Sequence, residues 1–143
     1  MSEPMQILST DDCWQRLRDH EFGRLAYHLT DEVHIVPVNY ASDGSRILLR
    51  TVEGSKLLGV VMHGDVAFEI DEVDDDSETA WSVIGRGRAR ILEGRAAVDA
   101  DNLRLRPWLG DERHVVVEIA LTEVSGRQFR LSRPWRQLLP EQH

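Results

Sequence analysis

The chain has a single cysteine, Cys13, so an intrachain disulfide is excluded and a packed core must hold the fold. The N-terminal stretch lacks the charged, then apolar, then small-residue pattern of a secretory signal, and with one lone thiol the expected location is the cytoplasm. Long apolar runs are missing as well. Stretches such as Leu57 to Met62 stop far short of the roughly 20 residues that cross a bilayer, so no membrane span is expected. Base is scarce beside acid: 17 Lys and Arg face 25 Asp and Glu, a formal charge of −8. Binding to a phosphate backbone rests on clustered cations that release counterions, so nucleic acid is not an expected partner. With 10 Gly and 5 Pro there is too little of either for a disordered or fibrous chain.

What is present fits one globular domain over residues 1–143, with 41% apolar and 29% charged residues. The charge is uneven, with acid gathered from Glu69 to Glu78 and base from Arg86 to Arg95, which leaves room for a local cationic pocket. Ser9 or Thr10 followed by Asp11 and Asp12 opens a helix expected to run to about His20. Strands are expected over Phe22 to His28, Val33 to Tyr40, Arg46 to Val52, Val66 to Asp71 and Thr79 to Leu92. Two more follow, His114 to Val124 and Gln128 to Leu131, with a turn at Ser125-Gly126-Arg127. Asp43-Gly44 marks a hairpin, and Gly85 and Gly87 mark bulges or close backbone approach. Short helices are expected from about Ser55 to His63 and from Glu93 to Leu105, with a solvated acidic loop from Asp71 to Glu78. Six or seven strands joined by hairpins point to an antiparallel barrel or sandwich.

Three segments carry chemistry. Arg50-Thr51 ends a strand and Ser55-Lys56 opens the next helix, so cations, hydroxyls and free N–H groups meet where a phosphate would sit; a capped helix with solvated cations is the alternative. In Val36-Pro37-Val38-Asn39 the proline cannot donate to a ladder, which marks an edge or a backbone reserved for a flat ring. Either the Val38 or the Asn39 N–H could then bind the ring's polar edge. Trp81-Ser82 sits where an indole and a hydroxyl could flank a cofactor, although the stronger reading makes Trp81 a core aromatic and the arginines after it a solvated face. The histidines have no ligand spacing, so no metal site is expected; His34 is the one outside candidate for an axial ligand or proton donor. No catalytic residue can be named from these patterns.

Taken in order, Gly23-Arg24-Leu25-Ala26, Ile35 to Tyr40, Arg50-Thr51 with Gly54-Ser55-Lys56-Leu57, Val66 to Asp71, and Trp81-Ser82-Val83 with Gly85 to Ala89 resemble the pyridoxamine 5′-phosphate oxidase-like flavoproteins. The branch most similar contains the nitroimidazole-resistance proteins and flavin or deazaflavin reductases. The resemblance covers about residues 10–131 and implies a mostly β fold, a six-stranded antiparallel split β-barrel with short flanking helices. It also implies a homodimer that binds FMN in clefts at the subunit interface. Arg50, Thr51, Ser55 and Lys56 would hold the phosphate, Val36, Pro37, Val38 and Asn39 would lie along the isoalloxazine, and Trp81 and Ser82 would come from the partner subunit or the barrel wall. The C-terminal Arg133-Pro134-Trp135-Arg136 is shorter than the substrate-holding segment of true pyridoxamine phosphate oxidases, so vitamin B6 oxidation is not expected. The implied function is an FMN-dependent oxidoreductase acting on an unknown small molecule or electron donor. The alternatives are a non-catalytic flavin- or haem-binding module, or a deazaflavin-dependent reductase whose acidic coenzyme tail is drawn to Arg86, Arg88 and Arg90.

Overall fold

The computed structural model describes residues 5–52, 64–101 and 114–131. Within them the chain runs β1 (Met5–Ile7), α1 (Thr10–Asp19), β2 (Phe22–Leu29), β3 (Glu32–Asn39), β4 (Ala41–Ser42) and β5 (Ile47–Val52). It continues through β6 (Asp65–Asp74), β7 (Thr79–Leu92), α2 (Gly94–Asp101) and β8 (His114–Arg130). The strands form one antiparallel sheet in the order β3-β2-β6-β7-β8-β5-β4, with β1 added beside β8. Six strands are long and β1 and β4 are short. The sheet curls until its end strand β3 comes beside β5 with no ladder between them. That open seam makes it the expected split barrel, with helices on its flanks.

Period-two alternation explains which way each strand faces. Leu25, Ile47, Leu49, Val66, Phe68, Ile70, Val83, Val117 and Ile119 are buried in the barrel, and Val36, Val38 and Trp81 pack against them. Removing each large apolar side chain from water stabilises the fold by about 1.5–3 kcal/mol. Ser9 caps α1 by accepting the Asp12 N–H at 3.1 Å, which satisfies a donor that the first helical turn would leave orphaned. The helix then buries Cys13 and Leu17 in the core. Tyr40 fixes it there, its hydroxyl donating to the Leu17 carbonyl at 2.6 Å while its ring meets Phe68 edge-on at 4.8 Å. On the outside, Ala97 and Ala100 of α2 pack on Leu48, Leu92 and Val116.

Several expectations change. Ser125-Gly126-Arg127 is no turn: β8 runs unbroken from His114 to Arg130, with Gly126 opposite Val83. A Cβ at Gly126 would lie 2.7 Å from Cys13 Sγ and 3.1 Å from Leu8 Cδ1, so this glycine admits α1 rather than reversing the chain. The acidic loop is shorter than expected, because β6 continues to Asp74 by pairing with the start of β7. Strand β1 carried no signal of its own. The expected bulge is real, with a register shift between Arg86 and Gly87 that leaves Thr122 as the extra residue on β8. The helix from Ser55 to His63 and the last four residues of the one from Glu93 to Leu105 lie outside the described residues, as does the Arg133–Trp135 segment.

Candidate functional site

Register assembles the outer face of β3, β2, β6 and β7 into rows. Pro37, Arg24, Glu69 and Ile84 form one, and Ile35, Ala26, Ala67 and Arg86 form the next. Valines 36 and 38 point into the barrel, so this outer face keeps Ile35 and Val33 at 67% and 65% exposure.

The hydrogen-bond phase of β3 identifies the backbone groups left over at its free edge. The Tyr40 N–H donates to the Glu21 carbonyl at 2.9 Å, which makes Tyr40 and Glu21 a hydrogen-bonded pair. Antiparallel pairs alternate, so Val38–Gly23 and Val36–Leu25 are also bonded pairs, whereas Asn39–Phe22 and Pro37–Arg24 are not. The backbone groups of Pro37 and Asn39 therefore point away from β2 toward the open edge. Proline has no N–H, so Asn39 supplies the donor there, and the Val38 N–H is consumed by β2.

Of the four phosphate candidates, Ser55 and Lys56 lie outside the described residues. Arg50 and Thr51 sit at the end of β5, opposite Val116 and Val115. They leave the strand on opposite faces, Thr51 buried beside the inward Leu49 and Arg50 half-buried on the side of Leu48. β5 lies across the seam from β3, so the pair sits on the strand facing the one that carries Val36 to Asn39. Trp81 and Ser82 lie farther round the sheet. They lie on β7, separated from β3 by β2 and β6, about 14 Å away at the usual strand spacing. Trp81 packs on its own α1, with the Arg16 guanidinium 4.6 Å above its ring and His20 edge-on at 5.0 Å.

Sequence reasoning missed a charged group at the centre of this face. Arg24 Nη1 donates to Glu69 Oε1 at 2.9 Å and to Asp71 Oδ2 at 3.2 Å. Burial, then a hydrogen bond that protonated Glu69 donates to Asp71, pushes Glu69 up to about 7, against the pull of Arg24. Glu69 therefore exchanges its proton near neutral pH, on the outer face between the candidate ring strand and β7. No local pattern announces it, because Arg24 and Glu69 are 45 residues apart.

His34 stacks on Tyr27 at 5.3 Å and its Nε2 is 3.2 Å from Glu32 Oε2, without hydrogen-bond alignment. Among the described residues no His, Cys, Asp and Glu group could hold a metal, and no helix is long and apolar enough to cross a membrane. Of the outward arginines of β7, Arg90 is taken up by Glu118 at 2.9 Å and Arg88 by Asp65 at 3.0 Å. Arg86 makes no ion pair among the described residues, although Glu123 is its register partner.

An open antiparallel barrel whose seam exposes an edge strand beside a cationic strand end defines the split-barrel class. The pyridoxamine 5′-phosphate oxidase family model matches residues 9–128, and the chain belongs to that family. A Corynebacterium glutamicum structure assigned to the same oxidase class superposes with a TM-score of 0.79 at 38% identity, covering 92% of this chain and 98% of the other. An FAD-binding protein of Mycobacterium smegmatis gives 0.76 at 34% identity, with 87% and 98% covered. An uncharacterised Mycobacterium tuberculosis protein is 39% identical over 88 residues, 61% of this chain and 78% of the relative.

Proposed function

We propose that this chain is a flavoprotein that holds FMN, or a flavin containing it, in a homodimer and acts as an oxidoreductase on a small molecule. The observation that carries the reading is the free edge of β3 beside β5, where the Asn39 N–H and Pro37 carbonyl face outward next to the strand bearing Arg50 and Thr51. A flat heterocycle with a polar rim and a phosphate tail fits this edge in a way that a further strand does not, because Pro37 breaks the run of donors. In this reading Asn39 bonds the ring edge, while Arg50, Thr51, Ser55 and Lys56 hold the phosphate. Trp81 and Ser82, about 14 Å away within one chain, come from the second subunit. When bound, the flavin supplies hydride or electron transfer. The protein's part is orientation and charge, and the Arg24–Glu69–Asp71 group keeps a proton available on the same face. The relatives' FAD binding supports a flavin and leaves its tail open.

Titration of FMN and riboflavin tests the reading. A charge-assisted hydrogen bond contributes about 1.5–3 kcal/mol, so Arg50→Ala or Lys56→Ala should weaken FMN by roughly tenfold to a hundredfold. Riboflavin, without the phosphate, should bind both variants as it binds wild type. Equal losses for the two ligands, or unchanged FMN affinity, would place the phosphate elsewhere.

A further inference from the structure

Two residues along from the Arg24–Glu69 row, the same outer face opens into a cleft of about 550 Å³. Its floor is made of small residues: Ala26 and Ala67 lie side by side in register, with Gly87 behind them. Nothing on that floor stands higher than a methyl group, so a planar ring can lie flat on the pleat. The walls differ in character. Val33 and His28 form one side, and Arg86 and Arg88 form the other.

The arginine wall is unusual for a chain with a net charge of −8. Arg86 makes no ion pair among the described residues. Among the described residues Arg88 pairs only with Asp65, the two side chains being 78% and 82% exposed, and such surface pairs contribute little. Both guanidinia are therefore available to an incoming anion, and their planar forks match phosphate oxygens. The carboxylates nearby, Asp65 and Glu123, set a limit: a ligand has to bring more than one negative charge to compete for the two arginines.

We infer that this cleft binds a nucleoside diphosphate moiety, with the base on Ala26 and Ala67 and the phosphates on Arg86 and Arg88. The source that fits a flavin phosphate held by Arg50 and Lys56 is a nicotinamide dinucleotide electron donor, because one of the two phosphates in a dinucleotide flavin's adenosine diphosphate half is the FMN phosphate itself. The site stands on its own residues and shares none with the proposed FMN contacts.

Calorimetric titration of ADP into the full chain tests it. ADP should bind wild type and Arg50→Ala alike, about tenfold more weakly to Arg86→Gln, and not measurably to Ala67→Leu, whose side chain would fill the floor. If Ala67→Leu fails to fold, Arg86→Gln and Arg88→Gln decide alone. No ADP binding, or binding indifferent to both arginines, overturns the inference and leaves this face to a macromolecular contact. Competition then tests the source. Displacement of ADP by NADPH with equal FAD and FMN affinity marks the electron donor, whereas a preference for FAD over FMN that Arg86→Gln removes overturns that source and moves the flavin phosphate off Arg50. Should FMN fail to bind while ADP binds as described, the flavin reading falls and this site remains.

Discussion

At the residue scale, one buried and one half-buried carboxylate with opposite electrostatics govern how stability responds to pH. Glu118 is only 7% exposed, yet it accepts from Arg90 at 2.9 Å and Arg46 at 2.8 Å. Desolvation opposes its charge, but the two arginines win and its pKa is lowered. That contribution is present at neutral pH and is lost as pH falls through the carboxylate range. Glu69 is the reverse case, raised from the ordinary 4.5 to about 7 by burial and by Asp71. The folded state binds its proton more tightly than the unfolded chain, so stability is fully present below 4.5 and declines as pH rises toward 7. The shift corresponds to about 3 kcal/mol undiscounted, and with 30% of the side chain in solvent about 1 kcal/mol is expected. Denaturant melts should show wild type losing that amount between about pH 5 and pH 8. Glu69→Gln, which mimics the protonated acid, should have a flatter profile over the same window. Parallel profiles for the two proteins would mean that Glu69 is ionised throughout.

At the element scale, what could be read from the sequence depended on whether the cause of a structure was local. Alternation and Asp-Gly chemistry located β2, β3, β5 and β7, and the Ser9 cap located α1, because each signal lies within a few residues of its effect. The β8 error came from a glycine whose reason is distant. Gly126 looks like a turn, but it is a strand residue that makes room for Cys13, more than a hundred positions away. Acidic residues 71–74 read as a loop because their partners, His20 and Arg24, belong to other elements. The candidate ring edge was half legible: Pro37 flagged it, but only the phase set by the Tyr40–Glu21 bond chooses Asn39 over Val38 as the outward donor. Gly126→Ala tests this account of β8. A turn glycine tolerates Ala at a cost of about 1 kcal/mol, whereas a methyl group 2.7 Å from Cys13 Sγ forces α1 off the sheet and should cost at least 2–3 kcal/mol by overpacking. Cys13→Ala should recover part of that loss by making room. Failure of this second substitution to recover any stability would show that the helix is not what Gly126 accommodates.

At the scale of the whole molecule, the separation of Trp81 and Ser82 from β3 makes a specific demand on assembly. Three strand intervals, about 14 Å along the sheet, lie between them and Val36 to Asn39, so in the proposed site the two groups come from different subunits. If both groups touch the flavin, each site takes its phosphate residues from one subunit and its indole from the other. A two-fold dimer then contains two equivalent shared sites. Mixing tests this without any need to know the substrate. Lys56→Ala and Trp81→Ala homodimers should each bind FMN weakly. A mixed dimer, however, places the intact Lys56 of one chain opposite the intact Trp81 of the other in one of its sites and gathers both defects in the second. Random exchange makes about half of all dimers mixed, so roughly a quarter of all sites should regain wild-type affinity. That fraction should appear in an FMN titration after co-refolding and be absent when the two variants are combined without exchange. If co-refolding restores no tight sites although mixed dimers form, Lys56 and Trp81 do not act on one shared flavin. Trp81 would then be what its contacts with Arg16 and His20 already make it within a single chain, a residue that anchors α1 to the barrel.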